Sequence, residues 1–172
     1  MTALRMPEPD AGVFARRAEI VRRLGEIVPG EGVITDARGL APYESDGVTV
    51  YAQAPLVVVL PETVEQVSRV LAYCHQEGIK VVPRGAGTSL SGGALPLADG
   101  VLMSMMKFNR VLDIDFPNRC AVVQPGVTNL GITRAVEHEG LYYAPDPSSQ
   151  IACSIGGNVA ENSGGVHCLK YG

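Results

Sequence analysis

The sequence predicts an α+β fold of two small subdomains, and two patterns of apolar segments carry this prediction. In the first pattern, two short apolar strands, Leu56–Leu60 and Ile79–Val82, flank a segment with helical spacing. Such a strand–helix–strand unit has parallel strands joined by a right-handed crossover. In the second pattern, Val101–Met105, Val111–Asp115 and Ala121–Gln124 are expected to form a second, mostly antiparallel sheet.

The elements before the crossover unit follow from spacing and from chain-breaking residues. Apolar residues recur at helical intervals over Ala11–Ile27 and stop at a Pro-Gly pair, which predicts an N-terminal helix. A short strand is expected at Gly32–Thr35, and a helix or turn at Ala37–Asp46. The segment Leu56–Leu60 lies between two prolines and contains no polar residue, so it is expected to be buried on both faces.

The crossover helix is expected to begin at Thr63 and to end at Gly78. Thr63 is followed three residues later by Gln66, as in a capping box, and glycine favours a helix C-terminus. One face of this helix is predicted to point inward and contains Val64, Val67, Val70, Leu71 and Cys74.

A second well-defined helix is predicted over Thr128–Glu139, closed by Gly140. Its expected inward residues are Leu130, Ala135 and Val136, with Ile132 less well placed. The remainder of the chain, Tyr142–Gly172, is polar and glycine-rich, and no strong strand is predicted there.

Composition excludes several classes of protein. The 172 residues are 46% apolar and carry a net charge of -4, without the basic cluster of a nucleic-acid-binding protein. No apolar run approaches the roughly 18 residues that span a bilayer. Met1–Asp10 lacks the apolar segment of a signal peptide, so a cytoplasmic protein is expected. The four cysteines form no C-x-x-C pair and are expected to be free, buried thiols.

Glycine is over-represented: 20 of the 172 residues are glycine, about 12% against an average near 7%. These glycines are clustered. The first cluster, R-G-A-G-T-S-L-S-G-G (residues 84–93), directly follows a predicted strand. Four glycines there would let consecutive N–H groups converge on an anion, and Thr88, Ser89 and Ser91 add hydroxyl donors. Arg84 could add a positive charge or face solvent. This chemistry suits a phosphate or a pyrophosphate.

The spacing in this loop matches neither of two common phosphate-binding motifs. A dinucleotide fingerprint needs a third glycine where this chain has Leu90, and a P-loop needs Lys and Ser/Thr where Gly93 and Ala94 follow Gly92. A surface loop without a ligand is the alternative.

The second cluster consists of P-D-P-S-S (residues 145–149) and S-I-G-G-N-V-A-E-N-S-G-G (residues 154–165). The two prolines stiffen an extended stretch, and Gly156 with Gly157 would let another backbone or a ring system approach. Asn158, Asn162 and Ser163 can give and accept hydrogen bonds, as the edge of a heteroaromatic ring requires. A polar surface loop is the alternative here.

Three functions remain open from the residues alone. Two such segments in one chain favour one large ligand that has both phosphates and a ring. A binding module for another nucleotide or pyrophosphate without redox chemistry is the first alternative. An interaction protein whose glycine segments are plain loops is the second.

The two clusters, in this order and with A-V-V-Q-P-G-V between them, resemble the FAD-linked oxidases, the family of vanillyl-alcohol oxidase and p-cresol methylhydroxylase. The likeness extends from about Arg17 to Gly172. Within the family the chain is most similar to the branch that contains the flavin subunit of bacterial glycolate oxidase and D-2-hydroxy-acid dehydrogenases.

This resemblance implies an FAD-binding domain of the p-cresol methylhydroxylase type, made of two α+β subdomains with FAD lying between them. Residues 1–100 would form the N-terminal helix and the first subdomain, and residues 101–172 the start of the second. The implied cofactor-binding residues are Pro83, Arg84, Gly85, Ala86, Gly87, Thr88, Ser89, Leu90, Ser91 and Gly92 around the pyrophosphate, and Pro145, Asp146, Pro147, Ser148, Ser154, Gly156, Gly157, Asn158, Asn162, Gly164 and Gly165 on the flavin side.

The resemblance also implies a function, the oxidation of a 2-hydroxy acid such as glycolate or D-lactate to the 2-oxo acid. Full members continue into a substrate-binding cap domain, so no catalytic or metal-binding residue is expected in this chain, which should be inactive alone. FAD is expected to be noncovalent, because no histidine lies in the first glycine loop. An iron–sulfur subunit is among the partners that the family implies.

Overall fold

The computed structural model describes residues 6–171. The chain divides into two units, Met1–Ser104 and Met105–Gly172. The expectation of a missing signal peptide rests partly on residues 1–5, which lie outside the described residues, as does Gly172 at the end of the family resemblance.

The first unit contains four helices and four strands within the described residues. In chain order they are α1 (Ala11–Ala15), α2 (Arg17–Ile27), β1 (Val33–Ile34), α3 (Ala37–Leu40), β2 (Val57–Val59), α4 (Val64–Gln76), β3 (Lys80–Arg84) and β4 (Gly100–Ser104). A 3₁₀ turn, Ala41–Tyr43, extends α3. The predicted single N-terminal helix is thus divided at Arg16, whose amide bonds back to the Val13 carbonyl three residues earlier and tightens the last turn of α1.

The strands of this unit form one mixed sheet in the order β1-β2-β4-β3. β1 runs antiparallel to β2, and β4 runs parallel to both β2 and β3. The predicted parallel relation of β2 and β3 is therefore confirmed, but the two strands are not neighbours. The assignment of Val101–Met105 to a second sheet is wrong, because β4 inserts between them, where its apolar residues are buried on both faces.

The core of the first unit lies on both faces of the central strands. All three residues of β2 and all five of β4 are buried, as expected for strands covered on both sides. Of the five residues predicted to face inward from α4, Val70 and Cys74 are buried, whereas Val64 and Leu71 are exposed. The predicted face was too wide because α4 is in contact with the core along only a narrow stripe.

The second unit contains two strands and three helices within the described residues. They are β5 (Val111–Asp115), β6 (Cys120–Val123), α5 (Asn129–Val136), α6 (Ile155–Glu161) and α7 (Cys168–Tyr171). β5 and β6 form an antiparallel hairpin with an irregularity between Val111 and Asp113. The predicted second helix is confirmed as α5 plus a 3₁₀ turn, Glu137–Glu139, with a Thr128 cap and a left-handed Gly140. Ile132, judged less well placed, is in fact buried, whereas Leu130 and Ala135 are half-buried.

The helix α6 occupies a segment that the sequence analysis treated as a loop. Two consecutive glycines are poor helix formers, so local propensity gives no sign of this helix. Contacts with another part of the unit stabilise it instead: the Ile155 amide donates to the Val127 carbonyl, and the Gly156 amide donates to the Pro125 carbonyl, each at 2.8 Å.

Candidate cofactor site

The first glycine cluster begins at the end of β3, where Arg84 is almost fully buried. Its guanidinium Nη1 donates to the carbonyl oxygens of Ala94 at 3.2 Å and Tyr43 at 3.4 Å, and its Cζ lies 5.7 Å from the centre of the Tyr43 ring. Burial lowers the pKa of Arg84, and the nearby Asp46 carboxylate partly offsets this effect. Arg84 therefore lies inside the first unit, not in solvent.

Gly87 has a left-handed backbone (φ +74°) and lies directly against the Arg84 side chain. A Cβ at this position would be 2.2 Å from Nη2 of Arg84 and 2.5 Å from its Cζ. Gly87 is thus required for two reasons, the dihedral angle and the close approach of the guanidinium. Gly92 is also left-handed, but a Cβ there would meet only the end of the Leu95 side chain at 3.5 Å.

Around Gly87 the backbone presents donors without internal partners. Within residues 6–171, the amides of Ala86, Gly87, Thr88 and Ser89 donate to no other group of the chain. Unpaired amides are rare where the backbone is not fully solvated, and Gly87 and Thr88 are only half exposed. Four consecutive donors of this kind can bind an anion such as a diphosphate.

Two residues that the sequence analysis missed, Asp46 and Gly47, hold this loop from the other side. A Cβ on Gly47 would lie 2.6 Å from the Ser89 carbonyl oxygen, so the two backbones are in direct contact. The Asp46 side chain is buried, and its Oδ1 accepts from the Val48 amide, whereas Oδ2 has no hydrogen-bond partner in the described chain. Because Asp46–Gly47 lies far from the loop in sequence, no local pattern indicates this role.

In the second unit, the Pro-Asp-Pro stretch is joined to the glycine pair that follows α6. The Asp146 amide donates to the Gly164 carbonyl at 3.1 Å, and the Val166 amide donates to Oδ1 of Asp146 at 3.1 Å. Gly165 is left-handed (φ +69°), and a Cβ there would lie 2.2 Å from the carbonyl carbon of Asp146. Contacts between Asp146 and residues 164–166 thus hold these two segments together.

Asn158 makes its side-chain hydrogen bonds inside the second unit. It is buried, and its Nδ2 donates to Oδ1 of Asn129 and contacts Sγ of Cys153 at 3.4 Å. Asn129, which the sequence analysis did not select, is also buried and donates through Nδ2 to the Pro145 carbonyl at 3.0 Å. The two asparagines form a polar link from α6 through α5 to the Pro-Asp-Pro stretch.

The two adjacent glycines of α6 differ in their surroundings. A Cβ on Gly156 would lie 2.7 Å from Cβ of Pro125 and 3.0 Å from its carbonyl oxygen, so a neighbouring backbone requires this glycine. A Cβ on Gly157 would meet only Oγ of Ser154, at 3.4 Å. That hydroxyl is buried and has no hydrogen-bond partner in the described chain. Gly157 therefore faces open space beside an unpaired polar atom.

A cavity of about 160 Å³ lies beside these residues, and all of its lining comes from the second unit. Asn162, which ends α6 in a left-handed conformation, contributes to it together with Tyr143, Pro145, Asn158, Val159, Ser163, Gly164 and Tyr171. Ser148, also selected from the sequence, does not line it and is exposed.

The remaining reactive side chains form no metal centre. No cluster of three or more His, Cys, Asp or Glu residues within 6–171 is arranged to hold a metal ion. The cysteines are free as predicted, but Cys120 and Cys168 are exposed, so the prediction that all four are buried is wrong. Cys120 lies on the two-stranded hairpin and Cys168 begins α7, where little else covers them. Among the same residues, no helix has the length and apolar character to cross a membrane.

A family model described as an FAD binding domain matches residues 55–172, which include both glycine clusters. The chain belongs to this family. Its cofactor is FAD, as the resemblance implied.

Relatives and solved structures agree with this assignment. The chain is 58% identical over 156 residues to glycolate oxidase subunit GlcD of Escherichia coli (strain K12), covering 91% of this chain and 31% of that protein. It is 36% identical to D-lactate dehydrogenase of Anaerostipes hadrus, covering 90% and 32%. p-Cresol methylhydroxylase with substrate bound is 26% identical with a TM-score of 0.72, covering 90% and 30%. The FAD-binding domain thus spans about a third of the length of these proteins, and its predicted fold class is confirmed.

The FAD-binding domain has features that fit this cofactor. In the first unit, the four unpaired amides of the glycine loop can bind an anion such as a diphosphate; in the second unit, Gly157 has an open face beside the unpaired Ser154 hydroxyl. By contrast, Arg84, Asn158, Gly156 and Gly165 make internal contacts that account for them without a ligand.

Proposed function

We propose that this chain is the cofactor-holding part of a flavin-dependent oxidoreductase that converts a 2-hydroxy acid into the corresponding 2-oxo acid. The names of the relatives, a glycolate oxidase subunit and a D-lactate dehydrogenase, support this substrate class. The two units would act as two cofactor-binding subdomains. Substrate would be bound by parts of a longer protein that correspond to the remaining two thirds of these relatives.

The first glycine loop would bind the pyrophosphate of FAD. The single observation that carries this proposal is the run of four backbone amides, Ala86 to Ser89, without a partner in the described chain. Amides held by a folded loop are already oriented, so binding an anion costs little further ordering. The residues proposed to form this site are Pro83, Arg84, Gly85, Ala86, Gly87, Thr88, Ser89, Leu90, Ser91 and Gly92, and among them Arg84 would support the loop from inside through its bonds to the Tyr43 and Ala94 carbonyls.

The second segment would lie along the flavin side of the cofactor. Gly157 offers an open face, and the Ser154 hydroxyl is a buried donor that needs a partner. The other proposed contact residues are Pro145, Asp146, Pro147, Ser148, Gly156, Asn158, Asn162, Gly164 and Gly165. For Asn158, Gly156 and Gly165 the internal contacts favour a supporting role, in which they hold the segment in shape.

FAD, when bound, supplies an acceptor for the two electrons that leave the hydroxy acid. The residues of this chain would bind and orient the cofactor. Among the candidate residues, Asp146 is the one carboxylate, and its Oδ1 already accepts from the Val166 amide and lies close to His167. The proton acceptor for the substrate hydroxyl would therefore come from the substrate-binding part of the whole protein. Other oxidase subunits, including an iron–sulfur subunit, are proposed partners.

The absorption spectrum of the purified chain tests this proposal. Added FAD should bind and acquire the shifted, structured visible absorption of an enclosed flavin, and ADP should compete, because it carries the same diphosphate. The Gly93→Ala variant should bind FAD as the wild type does, since a Cβ at this position meets nothing within 4 Å and Gly93 lies outside the four amides. Binding of ADP without any binding of FAD would instead favour a nucleotide-binding module without redox function.

A further inference from the structure

We infer that Arg84 is a positioning residue that shapes the diphosphate loop from inside and does not itself contact the anion. This inference rests on the proposed binding of the FAD pyrophosphate by that loop. It assigns Arg84 a role different from that of a cationic ligand, which its place beside a glycine loop would otherwise suggest.

The first reason is that the guanidinium makes its hydrogen bonds inside the unit. Arg84 is only 7% exposed, and Nη1 donates to the carbonyl oxygens of both Tyr43 and Ala94. Tyr43 ends the turn after α3, and Ala94 follows the last glycine of the loop. One side chain thus connects the base of the loop at β3 with its far end and with a separate segment of the unit.

The second reason is the contact with Gly87 in the middle of the loop. The position of a Gly87 Cβ would overlap Nη2, so the backbone of Gly87 rests on the guanidinium with no side chain between them. Gly87 is one of the four residues whose amides have no partner. A rigid planar group beneath it would keep these amides from turning inward to find partners of their own.

The third reason is charge. Burial lowers the pKa of Arg84, the nearby Asp46 carboxylate offsets part of that effect, and Asp46 Oδ2 is itself buried without a hydrogen bond in the described chain. The Asp46 carboxylate and the Arg84 guanidinium thus attract each other inside the unit. What the loop presents to a diphosphate is a set of backbone dipoles and not a net cation.

The test compares Arg84→Lys and Arg84→Gln with Arg22→Gln in the full chain. Lysine keeps the charge but lacks the planar fork, and glutamine removes the charge. Arg22 is an exposed arginine of the same unit that pairs with Glu26, so its variant controls for the loss of one surface charge. Two quantities are measured: backbone ¹⁵N relaxation of residues 85–89 without ligand, and the Kd for FAD at several salt concentrations.

Both Arg84 variants should loosen the loop, seen as faster internal motion of the 85–89 amides, while the amides of β4 remain as ordered as in the wild type. FAD binding should weaken by about tenfold or more, with an unchanged dependence of Kd on salt, because no charge–charge contact is lost. Arg22→Gln should change neither quantity. If both Arg84 variants unfold, Gly87→Ala, which displaces the guanidinium, is expected to give the same two changes.

Two results would overturn the inference. A loop as ordered in Arg84→Lys as in the wild type would show that Arg84 does not shape it. A salt dependence that becomes clearly shallower in Arg84→Gln, with a rigid loop, would show that Arg84 contacts the diphosphate directly. The relaxation measurement needs no ligand, so it tests the role of Arg84 even if the wild-type chain binds no FAD. Failure of the wild-type chain to bind FAD would refute the proposed function and leave the role of Arg84 in the loop unaffected.

Discussion

Nδ1 of His167 lies 3.1 Å from Oδ1 of Asp146, the same oxygen that accepts a hydrogen bond from the Val166 amide. The family resemblance implies a cofactor role for Asp146 and none for His167. In the structure the two side chains join the Pro-Asp-Pro stretch to the segment after the last glycine pair. The oxygen Oδ1, more than the charge of the carboxylate, connects the two segments.

Asp146→Asn and Asp146→Ala should therefore differ in stability. Asparagine keeps an acceptor oxygen for the Val166 amide, and a partly exposed contact with histidine contributes little, so Asp146→Asn should cost below about 1 kcal/mol of the free energy of unfolding. Alanine removes the acceptor and should cost about 1–2 kcal/mol. Urea unfolding of the two variants measures the difference. Equal losses would show that the charge, and not the acceptor, stabilises this junction.

The sequence predicted the fold well where local patterns and tertiary contacts agree. Strand β2, the Thr63 cap of α4 and the left-handed glycines Gly78 and Gly140 were all identified correctly. Strand β4 was recognised as a strand but placed in the wrong sheet. An apolar run indicates that a strand is buried, but it does not indicate which strands lie beside it in the sheet.

The candidate site shows a similar division between local and distant information. The glycine clusters were found because their composition is unusual over a short stretch. Asp46, Gly47 and Asn129 were missed because each acts on residues distant in sequence, and none lies in a recognisable motif. Asn158 was selected for its amide, but only the fold shows that this amide is directed inward.

Gly156→Ala and Gly157→Ala should separate support from ligand contact within one turn of α6. The Gly156 variant would press a Cβ into Pro125 and should lower stability without ligand. In the Gly157 variant the methyl group has room, and alanine favours a helix, so stability should be unchanged or rise by up to about 1 kcal/mol.

FAD binding should nevertheless weaken in Gly157→Ala, because the methyl group would occupy the proposed ligand face. Thermal unfolding without ligand and titration with FAD measure the two effects. A Gly157 variant that binds FAD as well as the wild type does would remove that residue from the cofactor site.

Asn129→Ala should destabilise the second unit more strongly than a typical surface substitution. It removes the donor to the Pro145 carbonyl, which is partly buried, and the acceptor for Asn158, which is buried. The expected loss is about 1–3 kcal/mol in the free energy of unfolding. Asn118→Ala on the exposed turn between β5 and β6 is a suitable comparison, because its amide bonds only to the nearby Asp115. A similar small loss in both variants would argue against the buried link.

Asp99 should make the stability of the first unit depend on pH. Burial opposes ionisation of this carboxyl, but hydrogen bonds from Lys80 and from the Asp10 amide, with the charge of Lys80, outweigh it and hold its pKa below the usual value. A lowered pKa in the folded state gives stability that is fully present above the unfolded pKa of about 3.9 and is lost as pH falls toward the folded value.

The difference in unfolding free energy between the wild type and Asp99→Asn, measured by urea unfolding at several pH values, should thus shrink below about pH 4. Lys80→Met should reduce the same acid-sensitive contribution, because it removes the first partner of the carboxylate. A difference that stays constant down to pH 3 would exclude Asp99 as the titrating group.

Bound FAD should be released completely when the protein is denatured with acid. A covalent flavin requires a nucleophilic side chain next to the cofactor. The first glycine loop offers hydroxyls at Thr88, Ser89 and Ser91 but no histidine, and none occurs between His75 and His138. After precipitation, all visible flavin absorption should therefore appear in the supernatant. Flavin retained in the pellet would contradict this prediction, and loss of that retention in Cys120→Ser or Cys168→Ser would identify an exposed thiol as the attachment point.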